Sequence, residues 1–248
     1  MRDSTAVNRD FYDLLWSEAH LQRPERFNTW PLISGLMPLA PERLEIGPGL
    51  RPRLPISGTC FIDISLPVIE QLTARGGIAL SGEITDLPFS DGKFDIVCAF
   101  DVIEHVEDDR RVFSEVQRVL RDGGYLICSV PLHAGLWTKF DEFVGHVRRY
   151  EPADLLALLA AHDLVLEKSA AYGMQPANSR LLDFGLWWLT HRRREAMWWY
   201  NNVFMPLGIF FQKRLEFVEG LTDAPGVDEV VLVCRKRSGP PSLDLSNE

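Results

Sequence analysis

Cysteine is scarce in this 248-residue chain: Cys60, Cys98, Cys128 and Cys234 lie far apart, form no CxxC pair, and each falls inside an apolar run that reads as a strand. That excludes a disulfide framework and points to buried, reduced thiols in a cytosolic protein. Positive charge is short as well, with 26 Lys and Arg against 35 Asp and Glu and a net charge of −9. A nucleic-acid binder needs the opposite balance to neutralise phosphates, so small molecules become the expected partners. No stretch reaches the ~18 apolar residues of a spanning helix, and the start MRDSTAVNRD lacks the basic-then-apolar order of a secretory signal. A cytoplasmic location is expected. His133 and His146 have no second ligand at turn or helical spacing, so no metal centre is expected. There is no internal repeat, and polar bias is confined to residues 1–7 and 238–248, the latter expected as a disordered tail.

What is present is a rhythm of short apolar runs alternating with helical patterns. The runs are LEI at 44–46, CFIDI at 60–64, IALSG at 78–82, FDIVCAF at 94–100, YLICSV at 125–130, LVLEKSA at 164–170 and VDEVVLVCRK at 227–236. This reads as an α/β fold around a parallel sheet. Ser65 is placed to cap a helix over LPVIEQLTAR that Gly76 and Gly77 end. Val112, Val116, Val119 and Leu120 give a helical stripe closed by Gly123 and Gly124, and Pro152 opens a helix carrying Leu155, Leu156, Leu158 and Leu159. Between the last two runs, residues 180–218 hold four of the seven tryptophans, the triplet Arg192, Arg193, Arg194, and six Lys/Arg against three Asp/Glu. The segment carries +3 and the rest of the chain −12.

LEI runs straight into Gly47-Pro48-Gly49, a turn that brings bare backbone close to a ligand at a crevice in the sheet. A dinucleotide fingerprint needs a glycine three residues after Gly49, where Pro52 stands. Glu45 would repel a pyrophosphate and suits the ammonium and sulfonium of S-adenosylmethionine. Asp63, ending the second run, is either an acceptor for a ribose diol or an N-terminal charge for the helix that follows.

LEIGPG at 44–49, FIDIS at 61–65, GEITDLPFSDGKFDIV at 82–97, DVIEHVEDD at 101–109 and RVLRDGGYLICSVP at 118–131 resemble the ordered motifs of class I S-adenosylmethionine-dependent methyltransferases, nearest the branch that includes ubiquinone and menaquinone biosynthesis enzymes. The resemblance covers roughly residues 40–170 and the last strand. It implies a Rossmann-like seven-stranded sheet with the last strand antiparallel, helices on both faces, and S-adenosyl-L-methionine as cofactor. It implies that Glu45, Gly47 and Gly49 form the methionine-end turn, that Asp63 with Ile64 holds ribose and adenine, that Glu83 and Ile84 meet the adenine edge, and that Phe100 lies by the methionine moiety. The chain departs from the pattern at Arg51, where the family has a third glycine, and at Glu83, where it has Asp. Pro52 and Pro55 between Gly49 and Asp63 leave the usual first helix short or absent.

Methyl transfer is an in-line displacement in which positioning supplies most of the rate, and a base matters only for a hydroxyl, phenol or carbon acid. His105 and His133 are the candidate bases; alternatively, Glu104 and His105 simply begin and orient the next helix. His146, Arg149 and Tyr150, in an HxRxY stretch, together with Tyr12 and Trp16 in a lid-like amino-terminal helix, are the candidate substrate contacts. The expected organisation is a helical lid over 1–40, the cofactor domain over 41–175 and 223–237, and a helical aromatic insertion over 176–222. That insertion reads as a cap on a hydrophobic pocket, a peripheral contact with the inner membrane surface, or a homodimer surface. The expected function is methyl transfer to the oxygen or carbon of a small hydrophobic acceptor. The alternative is a catalytically degenerate scaffold of the same fold that docks on a membrane or a protein.

Overall fold

A computed structural model describes residue 16 and residues 19–173, 179–222 and 226–239, with backbone only at 179–182. Tyr12, with the rest of residues 1–15 and 17–18 of the expected lid, and residues 240–248 of the expected tail lie outside the described residues. Strands β1 (Arg43–Ile46), β2 (Thr59–Asp63), β3 (Ile78–Ser81), β4 (Phe94–Ala99), β5 (Leu120–Pro131), β6 (Leu164–Tyr172), β7 (Val218–Glu219) and β8 (Glu229–Lys236) form one sheet in the order β3-β2-β1-β4-β5-β8-β6-β7. The neighbouring pairs from β3 to β5 are parallel, whereas β8 runs antiparallel to both β5 and β6. The expected antiparallel last strand is therefore present. Among the described residues the count is eight rather than seven, because two residues at the end of the insertion add a strand to the β6 edge.

β2 and β4 are buried along their whole length, as strands covered on both faces must be. On one face, α3 (Asp109–Val119) and α5 (Pro152–Ala161) bring Val112, Phe113, Val116, Leu155 and Leu159 against Leu44, Ile46, Val97 and Leu126. Asp108 caps α3 by accepting the Arg111 N–H at 3.0 Å. Gly123 and Gly124 do not close this helix in a turn; they lie within β5, where a Cβ at Gly124 would crowd the Arg121 and Asp95 carbonyls. Ser65 occupies the N-cap of α2 (Leu66–Thr73), yet its hydroxyl does not cap the helix; Asp63 takes the Ser65 N–H instead.

The other face is built differently. Residues 47–58, which join parallel neighbours β1 and β2, contain no helix. The sheet is covered there by α1 (Trp30–Leu36), by Leu54, and by Leu215 and Phe217 from the insertion. Next to them, Met197 and Tyr200 pack with Trp16, Leu50, Phe61, Val68 and Leu72. The insertion comprises α6 (Ser179–His191), α7 (Arg193–Trp199), a π-helical stretch Tyr200–Phe204 and α8 (Met205–Phe210). Among the described residues, no helix is long and apolar enough to cross a membrane. All four cysteines are free and buried.

Candidate active site

Where β1 ends, the chain passes through Gly47 (φ 60°) and Gly49 (φ 53°), both in the left-handed region. A Cβ at Gly47 would overlap Val102, and one at Gly49 would overlap the Trp16 ring, so glycine is required for space as well as torsion. The Gly49 N–H donates to Asp63 Oδ2 at 3.1 Å, while Asp63 Oδ1 accepts from the Ser65 N–H at 2.8 Å. The buried Glu45 carboxylate accepts the Arg53 N–H at 2.7 Å and the Leu54 N–H at 2.8 Å. Burial pushes its pKa up to about 7, against the pull of those two N–H groups and the Arg53 charge. Glu45 and Asp63 thus brace the helix-free connection at both ends.

Arg51, at the position of the missing third glycine, lies 5.0 Å from the Trp16 ring and 5.2 Å from the Tyr200 ring, and its Nη1 donates to the Tyr200 hydroxyl at 3.3 Å. The side chain that breaks the glycine pattern therefore ties the turn to the insertion and to the amino-terminal segment. Arg53 is buried beneath: its guanidinium lies 3.8 Å from the Phe27 ring centre and 5.4 Å from that of Phe100, and it donates to the Tyr172 hydroxyl at 2.9 Å. Phe100 immediately follows β4 and is buried. Ile64 is partly buried past β2, Ile84 is buried in the main core, and Glu83 is exposed just past β3. Two surface hollows, of about 330 and 290 Å³, lie where residues 20–31 meet the insertion rather than at the turn.

A second group of residues forms beyond β4. Asp101 has φ 56°, a rare conformation for a non-glycine residue; its N–H donates to Ser129 Oγ at 2.9 Å, and the Ser129 hydroxyl donates back to Asp101 Oδ1 at 2.5 Å. The turn Ile103–His105 follows. His105 Nδ1 donates to the Gly145 carbonyl at 3.2 Å, and burial, reinforced by His146, lowers its pKa to about 4. His146 Nδ1 donates to Asp141 Oδ1 at 2.9 Å, and the two imidazole rings meet edge to face with centres 4.8 Å apart. Glu104, His105 and His146 each bring a ligand atom within 4.8 Å of the others. Chain spacing could not reveal this grouping, since roughly forty positions separate its two halves.

Arg149 and Tyr150, expected as substrate contacts, are buried and bonded to other residues of the chain. The Arg149 guanidinium is 1% exposed, donates to both Asp141 oxygens at 2.9 and 3.0 Å, and also reaches the Leu132 and Asp228 carbonyls. Tyr150 is buried, its hydroxyl donates to Asp109 Oδ2 at 3.1 Å, and burial with the nearby Asp109 charge raises its pKa. Both residues are internal struts, because a loop buried at this depth must satisfy its own polar groups. Trp16 is buried against Leu50 and Gly49 rather than lining an open cleft. His133, with φ 60°, stands 3.7 Å from Glu151 on the loop after β5 and is not in the histidine pair. Sequence reasoning missed Arg53, Tyr172 and Glu229. Burial and the adjacent Asp101, with which Glu229 is hydrogen-bonded, push the Glu229 pKa well up. The visible signals were a second Arg, after Arg51, in a proline-rich loop and a Glu opening an apolar strand.

Residues 52–128 match the family model described as a methyltransferase domain. A "probable S-adenosylmethionine-dependent methyltransferase" of Mycolicibacterium smegmatis is 38% identical over 82 residues, 32% of this chain and 31% of that protein. An uncharacterised methyltransferase of Mycolicibacterium gilvum is 26% identical over 64% of this chain and 56% of its own length. The chain spans less than two thirds of the length of these curated relatives. Among solved structures, a Thermotoga maritima S-adenosylmethionine-dependent methyltransferase, described as a possible histamine N-methyltransferase, superposes with a TM-score of 0.59 at 18% identity, covering 94% of this chain and 97% of that one. The [4+2]-cyclase SpnF superposes with a TM-score of 0.56 at 16% identity, covering 93% and 95%. At such identities the likeness establishes the fold alone, and a cyclase on the same fold means that fold does not choose the reaction.

Proposed function

We propose that this chain, which carries a class I S-adenosylmethionine-dependent methyltransferase domain, transfers a methyl group to the oxygen or carbon of a small hydrophobic acceptor. The observation that carries this reading is the turn itself. Two left-handed glycines lie between a buried Glu45 and an Asp63 that holds the Gly49 N–H, which supports a site where bare backbone and carboxylates would meet a cofactor's cationic and diol ends. A carboxylate accepts up to about four hydrogen bonds, so the two backbone donors position Asp63 without disqualifying it as a ribose acceptor. S-adenosylmethionine supplies an activated methyl group on a sulfonium. Glu45 stabilises the positive end, Ile64, Glu83 and Ile84 border the adenine, and Phe100 walls the methionine side. His105, neutral and weakly basic at about 4, is a poor proton acceptor. His133, on the loop after β5 with its Nδ1 3.7 Å from the Glu151 carboxylate, is the remaining candidate base.

The acceptor's apolar character is supported by the insertion, which exposes Phe184, Trp187, Trp198, Phe204, Phe210 and Phe211. With Arg192, Arg193, Arg194, Lys213 and Arg214 nearby in sequence, this surface suits peripheral contact with an anionic bilayer, from which a lipid-like acceptor would be drawn. Calorimetric titration with S-adenosylmethionine and its demethylated product tests the core of the reading. Affinity of ~1–100 μM that is lost in Asp63→Ala is expected; no heat and no competition from either ligand would sink it.

A further inference from the structure

The turn after β4 and the loop after α4 (Lys139–Val144) are laced together through their backbones: the Val147 N–H donates to the Glu104 carbonyl at 2.8 Å, and the His105 ring donates to the Gly145 carbonyl. The cluster at their junction is therefore fixed by main chain rather than by chance meeting of long side chains. Each imidazole is oriented through Nδ1, His105 by a carbonyl and His146 by the Asp141 carboxylate, which is how histidines that bind metals through Nε2 are held. Glu104 is 2% exposed, and its Oε2 is buried with no hydrogen-bond partner. Its Oε1 is 3.7 Å from His146 Nε2, beyond hydrogen-bond reach. Leaving a carboxylate so placed is costly unless something else satisfies it. Asp101 and Asp141 add negative charge around the cluster, and Arg149 is the cation among them, already committed to Asp141.

We propose that Glu104, His105 and His146 bind one divalent first-row transition ion of the Zn²⁺ class. Two imidazoles and one carboxylate form a mixed nitrogen and oxygen set that suits Zn²⁺, Co²⁺ or Fe²⁺, and is poorer for Mg²⁺ or Ca²⁺, which take all-oxygen shells. The Glu104 oxygen gains its missing partner in the ion, and Asp141 becomes the outer carboxylate of a carboxylate–histidine–metal relay. The assignment stands on the cluster and is read by metal binding, so it can fail while methyl transfer holds, and the reverse.

The test is a titration of the chelator-treated full chain with Co²⁺, followed by its visible d–d absorption. One equivalent should develop a band that Zn²⁺ removes and that equimolar Mg²⁺ leaves unchanged. Glu104→Gln and His146→Gln should each lose the band. No stoichiometric band in the unmodified protein, a band undiminished in both variants, or displacement by equimolar Mg²⁺ would each overturn the proposal. Should either variant fail to fold, imidazole ¹⁵N spectra of the unmodified protein decide: among its six histidines, Zn²⁺ should move the signals of His105 and His146, and movement of none or only of the others would refute it.

Discussion

Glu45 gives the fold a pH response that can be isolated by one substitution. Its carboxyl is raised from the ordinary 4.5 to about 7, chiefly by burial. At ~1.36 kcal/mol per pH unit, that difference makes the ionised folded form roughly 3 kcal/mol less favourable than it would be in the unfolded chain. The sign follows from which state binds the proton more tightly, here the folded one. The contribution is fully present below pH 4.5 and is lost as pH rises through about 7. Glu45→Gln keeps the shape but cannot titrate; its amide NH₂ faces a backbone N–H, which lowers stability by an amount independent of pH. Urea unfolding of both proteins between pH 4.5 and 8 measures the difference. Other buried acids, such as Glu229, are common to both and cancel. The stability of the native chain relative to Glu45→Gln should fall by roughly 3 kcal/mol across that range, or on the order of 1 M in urea midpoint. A difference flat to within about 0.5 kcal/mol would show that the two backbone N–H groups keep Glu45 ionised throughout, and would refute the reasoning.

Asp141→Asn strands the buried Arg149 guanidinium and should cost ~3–5 kcal/mol, or a fall in Tm of roughly 6–20 °C at this chain length, read by calorimetry. Asp141→Leu combined with Arg149→Met should cost less than the sum of the two single changes, and strict additivity would deny the pairing. Gly49→Ala should cost ~1–3 kcal/mol in backbone strain and, by displacing Trp16, shift tryptophan emission to longer wavelength; an unchanged emission maximum would count against the stacking of Trp16 on the turn. Vesicles rich in phosphatidylglycerol should blue-shift that emission at low salt while phosphatidylcholine vesicles do not, and Phe210→Ser, which removes a side chain from a residue 78% exposed, should weaken partitioning by about tenfold or more. Equal binding to both lipids, or to neither, would remove the bilayer from the list of contacts.

The strands were legible because parallel strands covered on both faces are nearly continuous apolar runs, and β2 and β4 sit within a residue of their expected bounds. The absent helix after β1 was legible from Pro52 and Pro55, whose rings cannot continue one. β7 was not legible, since two residues carry no periodicity and pair only because the insertion returns along β6. Nor was the fate of Arg149 and Tyr150. A charged or hydroxyl side chain in a loop reads as available for ligands, and only the packed structure shows Asp141 and Asp109 already accepting from them. The same limit hid the Glu104, His105 and His146 grouping, which exists in space and not in spacing.

The crossover that lacks its own helix makes the order of synthesis matter. Arg51 finds its Tyr200 partner 149 residues downstream, and Met197 completes the apolar cluster over Leu50 and Phe61. Contacts so distant along the chain come late, after a long loop has closed. A nascent chain whose exposed part ends before α6 therefore has Trp16 and Val102 against its glycine turn, but neither the Tyr200 partner of Arg51 nor the Met197 side of the cluster over Leu50 and Phe61. The loop after β1 thus reaches its final packing only once the aromatic segment has emerged and folded back.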